Sequence, residues 1–173
     1  MCALALSGSV SVNVRLTQTN ALDLSTPSDS LSILKTRAIT SGTGADQGDL
    51  LWHDQRTLTD GATESLDLHG GTLAGGFGAV TFDKVKGICV LNFSTTDAIK
   101  IGGAAANAVG LFGATTDVLV LPAASATNKP SVFLIEAPAA AGIDVTTNDE
   151  IKIAHGGTTS NTITYQIAIW GED

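Results

Sequence analysis

Both ends of the chain alternate apolar and polar residues. Val10-Ser11-Val12-Asn13-Val14-Arg15-Leu16-Thr17 opens the pattern, and Thr162-Ile163-Thr164-Tyr165-Gln166-Ile167-Ala168-Ile169-Trp170 closes it. A period of two puts Val10, Val12, Val14 and Leu16 on one face of a strand, and Ile163, Tyr165, Ile167 and Ile169 on one face of another. β-Branched runs continue between them, and no long stretch carries a helical period. The expectation is therefore an all-β chain.

A length of 173 residues suits one domain with a substantial core. Only 5% of residues are aromatic, so that core must be built from Val, Ile, Leu and Ala. Nineteen glycines, with many Ser, Thr and Asn, supply the turns that a many-stranded fold requires. The formal net charge is −8 and the basic residues stand singly, which argues against nucleic-acid binding. Cys2 and Cys89 make no disulfide framework; Cys89, inside Gly87-Ile88-Cys89-Val90-Leu91, reads as a small core residue. The segment Met1 to Leu6 lacks the basic start of a signal peptide, and no apolar run reaches membrane-spanning length. A soluble, unprocessed chain with no membrane partner is expected.

Residues 1–24 read as an extended N-terminal arm, and residues 25–173 as a single β-sandwich domain. Ser25-Thr26-Pro27-Ser28-Asp29 is a turn cluster, followed by a strand from Leu31 to Ile39. Leu50 to Thr59 fits a short helical turn or an edge strand, and Asp83-Lys84-Val85-Lys86 a turn or short helix. Ile88 to Phe93 is apolar on both faces and should lie centrally. Val118 to Leu121 and Val132 to Ile135 read as buried runs. His155-Gly156-Gly157 is expected to close a hairpin between the last two strands. Nine or ten short strands at this spacing predict a two-sheet antiparallel sandwich, most simply jelly-roll-like.

Chemistry-bearing motifs are sparse. Gly42-Thr43-Gly44-Ala45-Asp46-Gln47-Gly48 has its third glycine one residue late for a dinucleotide fingerprint. Asp46, Asp49 and Asp54 offer oxygen ligands, but without the spacing or bidentate Glu of a calcium loop. His53, His69 and His155 lie in unrelated segments read as solvated loops, with no metal-ligand spacing. No Gly-x-Ser-x-Gly elbow marks a nucleophile, although Asp67, Glu136 or Asp149 are free to meet in space. No catalytic residue, metal or cofactor is assigned, and the chain is not expected to be an enzyme. Trp52 and Trp170 sit beside polar neighbours, as end plugs of the sandwich or as contact residues. Arg56, near Trp52, makes that pair the better interface candidate.

Gly42-Thr43-Gly44-Ala45-Asp46-Gln47, Trp52-x-Asp54-x-Arg56-Thr57-Leu58 and Leu66-Asp67-Leu68-x-Gly70 resemble a family of small structural proteins of tailed bacteriophages. The likeness continues through Val80-Thr81-Phe82-x-Lys84-Val85-Lys86-Gly87-Ile88 and Ile101-Gly102-Gly103-Ala104-Ala105, and ends at Thr164-Tyr165-x-Ile167-x-Ile169-x-Gly171. It covers the chain from about residue 10 onward. The Ala-rich segment Pro122 to Ser131 departs from it, which leaves the shape of that loop open. The resemblance implies a β-sandwich virion component such as a head decoration (cement) protein, made in the host cytoplasm and carried on the capsid exterior. It further implies a homotrimer that bridges the major capsid protein. In that role, Leu4, Leu6, Val10, Val12, Val14 and Leu16 would supply contacts by strand addition, with Trp52 and Arg56 as a second contact. The alternative is a tail or fibre domain that binds a host surface glycan.

Overall fold

The structure, a computed structural model, describes residues 5–126, 128–157 and 160–173. It is all-β, with no helix among those residues. Thirteen strands follow in chain order: β1 (Gly8–Thr19), β2 (Ser28–Ile39), β3 (Leu50–Leu58), β4 (Thr63–Asp67), β5 (Leu73–Gly75), β6 (Gly78–Val80), β7 (Lys84–Asn92), β8 (Ile99–Gly102), β9 (Val118–Leu121), β10 (Ser131–Glu136), β11 (Ile143–Asp144), β12 (Glu150–His155) and β13 (Ile163–Glu172). They form two larger antiparallel sheets and two hairpins. One sheet runs β10-β7-β13-β3, with β11 also pairing β7; the other runs β4-β12-β8-β9. The hairpins are β1-β2 and β5-β6.

Alternation decides which side chains each strand buries. On β13, Ile163, Tyr165, Ile167 and Ile169 are almost fully buried, while Thr164, Gln166 and Ala168 between them are half-buried. Their partners across β7 and β3 follow the same parity. Ile167 pairs with Val90 and Asp54, and Ile169 with Ile88 and Trp52. In the second sheet, Ile99, Ile101, Ile151 and Ile153 point inward and belong to the same apolar cluster as the first sheet's core residues. Two antiparallel sheets sharing one core are compatible with a β-sandwich. Asn92 is the fully buried polar residue of this layer. Its side chain donates to the carbonyls of Asp97 (3.0 Å) and Pro122 (2.9 Å) and accepts from the Ser94 amide (2.9 Å), which satisfies it.

Of the two readings of Leu50 to Thr59, the structure shows the edge strand: Leu50–Leu58 ends its sheet, and its inward positions Trp52 and Leu58 fill the core. Other local expectations are corrected. Lys84 begins β7 directly, with neither turn nor helix. β12 and β13 are not a hairpin: they belong to different sheets. Val118 and Val120 on β9 and Val132 on β10 are 44%, 54% and 58% exposed, although their runs read as buried. Both strands end their sheets, so continuous apolar sequence there leaves one face in solvent. His53 and His155 lie in strands and not in loops. His155 is buried, accepting at Nδ1 from the Gly157 amide (3.2 Å), so its Nε2–H donates to the Asn161 carbonyl (3.1 Å).

Candidate interaction surface

The most unusual feature of the molecule is its first hairpin. β1 and β2 pair over twelve positions, from Gly8 with Ile39 to Thr19 with Ser28. At about 3.3 Å per residue the ribbon is roughly 40 Å long. Every residue from 11 to 36 is exposed, on both faces. The register sorts its side chains. Val14 pairs with Ile33 and Leu16 with Leu31, while Val10 and Val12 sit opposite Arg37 and Lys35. One face is thus an apolar stripe edged at its root by two cations. The opposite face carries mainly Ser and Thr, with Asn13, Arg15 and Leu34 among them, and hydroxyl pairs at Ser11–Thr36 (2.9 Å) and Thr17–Ser30 (3.3 Å).

A bare two-stranded hairpin is marginal in water, so the root must be anchored. Arg37 Nη1 donates to Asp46 (2.7 Å), and its Nε lies 3.7 Å from Glu136 on β10. The Asp46 amide donates to the Pro138 carbonyl at 2.8 Å. Lys86, 3% exposed, donates to the carbonyls of Ala139 (2.9 Å) and Ala140 (2.8 Å), with the Gly44 carbonyl at 3.5 Å. Its charge faces Glu172 Oε2 at 3.6 Å, and Lys84 donates to Glu172 Oε1 at 2.7 Å. A recess of about 230 Å³ lined by Leu6, Val10, Ile39, Leu51 and Trp170 completes the root.

Of the residues singled out by sequence, Val12 (42% exposed), Val14 (37%) and Leu16 (63%) share the outward stripe. Val10 and Leu6 are half-buried at its root, and Leu4 lies outside the described residues. Trp52 is placed elsewhere. It is 1% exposed, its Nε1 donates to the Ala74 carbonyl (3.2 Å), and the Arg56 guanidinium sits 5.4 Å from its ring centroid. The indole is therefore spent within the chain. Arg56 donates to Asp54 Oδ2 (3.0 Å) and to Glu64 Oε2 (2.5 Å). Burial works to lower the Arg56 pKa, but the hydrogen bond and charge of Glu64 outweigh it and the net shift is upward. Glu64 in turn accepts from the Tyr165 phenol at 2.6 Å. Trp52 and Arg56 thus sit in a polar clasp between the edge strands β3 and β4.

Of the carboxylates singled out by sequence, Asp49 keeps a buried Oδ1 without a hydrogen-bond partner, whereas others are engaged. Asp46 and Asp54 each accept from an arginine, and Asp67 accepts from the amides of His69 (3.2 Å) and Gly70 (2.6 Å). Among the described residues, no group of three or more His, Cys, Asp or Glu converges as a metal site. Sequence reasoning missed the second half of the stripe, Leu31 and Ile33, and the exposed Leu22 and Leu24 at the hairpin's end. The signal was present as two alternating runs flanking the Ser25–Asp29 turn cluster. No protein-family model matches the chain, and no curated protein matches it.

Proposed function

We propose that the chain is a structural virion protein, a capsid decoration (cement) protein that binds the outside of a phage head as a homotrimer. In this reading the body is a jelly-roll-like two-sheet sandwich, and the β1–β2 ribbon is the arm that grips neighbouring subunits or the major capsid protein. The carrying observation is that ribbon: a hairpin about 40 Å long, exposed from residue 11 to residue 36, with an apolar stripe and a root packed on the body. Among the described residues each ribbon strand pairs only with the other, and such edges also suit strand addition.

The strand order supports the jelly roll. With the two-residue β11 left out and the others numbered one to eight along the chain, the strands of the two larger sheets run 6-3-8-1 and 2-7-4-5. That interleaving of early and late strands is what two nested Greek keys produce. The mechanism is passive. Each copy buries apolar area across a boundary between capsid subunits, and many weak copies together resist internal pressure through multivalency. Purified protein added to heads that lack it should co-sediment with them, and a chain missing residues 9–38 should not. Equal binding by the two would contradict the arm's role.

One observation favours a second reading, a tail or fibre domain that binds a neutral host glycan. A recess of about 500 Å³ lined by Gln55, Phe93, Thr96, Asn128, Thr164 and Gln166, among others, carries no charged side chain. That reading requires a rise in Tm with neutral oligosaccharides.

A further inference from the structure

The far end of the ribbon and one face of the body complement each other, although they belong to opposite parts of the chain. At the tip, the Leu22 amide donates to the Ser25 carbonyl (2.8 Å) and the Asn20 amide to Pro27 (3.1 Å), so the turn is held in shape. It presents Leu22 at 54% and Leu24 at 100% exposure, flanked by Asp23 and Asp29. On the four-stranded sheet, the register puts Lys100 beside Val120, Gly102 beside Val118, and Ala154 beside Lys100. Ile99, Ile101, Ile151 and Ile153 point to the core, so Val118, Val120, Lys100 and Lys152 share the outward face. Among the described residues, none of Asp23, Asp29, Lys100 and Lys152 forms an ion pair.

We propose that the tip of one copy seats on the β8–β9 face of a second copy. Leu22 and Leu24 cover Val118 and Val120, and Asp23 and Asp29 face Lys100 and Lys152. Two exposed leucines meet two exposed valines, and two unpaired anions meet two unpaired cations. Glu150 and Asp67 pair one row further along the same face, so like charge keeps the acidic tip from sliding that way. The occupant is a second copy because the ribbon stands clear of its own body along residues 11–36. Such a contact joins different patches on the two partners, so it is heterologous and closes into a ring where the rotation permits. The inference rests on the homo-oligomer part of the reading above and is independent of where the protein sits on a particle.

The test is complementation, read by sedimentation equilibrium of the full chain. A tip variant, Leu22→Ser with Leu24→Ser, and a face variant, Val118→Ser with Val120→Ser, should each self-associate about tenfold or more weakly than the parent. Mixed one to one, they should form a two-chain complex, because each retains the half that the other lacks. A charge pair checks the same contact without touching the apolar residues. Asp23→Lys with Asp29→Lys should weaken association at low salt, and adding Lys100→Glu with Lys152→Glu to that chain should restore it. A parent chain that stays monomeric, a tip variant that assembles like the parent, or a mixture without complex would each overturn the inference. Labelling of virion heads would still decide the decoration role separately.

Discussion

The phenol of Tyr165, on β13 of one sheet, donates to Glu64 Oε1, on β4 of the other, at 2.6 Å. Tyr165 is fully buried, and Arg56 holds the second carboxylate oxygen of Glu64. One carboxylate therefore ties both sheets together at their β3–β4 edge. Burial, followed by the bond to Glu64 and its charge, pushes the phenol pKa well above its ordinary value.

Two outcomes follow for this clasp. Tyr165→Phe should cost about 1–2 kcal/mol, measured by urea denaturation, because Glu64 loses a donor in a partly dry site. The chain has a single tyrosine, so phenolate absorbance reports this group alone. An acid whose pKa is raised by folding keeps its proton in the native state after the unfolded chain has released it. Stability should thus fall as pH rises past the unfolded value, and phenolate should appear only together with unfolding.

Lys86 and Glu172 are 3% and 1% exposed and stand as a buried pair beneath the ribbon root. Lys86→Met should destabilise by about 3–5 kcal/mol, since it leaves the Glu172 charge buried with less compensation. Lys86→Met combined with Glu172→Gln should recover most of that loss. Thermal melts of the three variants check both statements.

Gly87 has no side chain where Trp170 lies. A Cβ built there would come within 2.0 Å of Trp170 Cζ2. Gly87→Ala must displace the indole and should cost about 1–3 kcal/mol. The ring also lines the recess under Leu6 and Ile39, so limited proteolysis of residues 40–49 should quicken in the same variant.

Asp49 has its carboxyl pKa raised, first by burial and then by the charge of Asp173. For an acid raised in the native state, the penalty is absent below its ordinary value of 3.8 and grows as pH climbs through the native value. Asp49→Asn should therefore raise Tm by about 1–3 °C at neutral pH, and the gain should vanish in acid. A gain that persisted at low pH would point to a cause other than this charge.

Much of the all-β character was legible because the strands that matter most alternate cleanly. Ile163 to Ile169 announces both its secondary structure and its inward face. Legibility failed where a strand's environment depends on distant partners. Val118-Leu119-Val120-Leu121 looks buried on both faces, but its position at a sheet edge is fixed by pairing with β8, which no local pattern encodes. Trp52 beside His53 and Asp54 looks half-exposed, and only the strand parity shared with Ile169 sends it into the core. The stripe from Val10 to Leu16 was readable as a strand face. That it would lie in solvent, paired with Leu31 and Ile33, follows because no third strand among the described residues joins the ribbon, a tertiary fact.

The most direct measurement is antibody-gold labelling of intact virions from cultures that make the protein, imaged by electron microscopy. The decoration reading predicts label spread over the whole head. Label confined to the tail tip, or none on the particle, would contradict it.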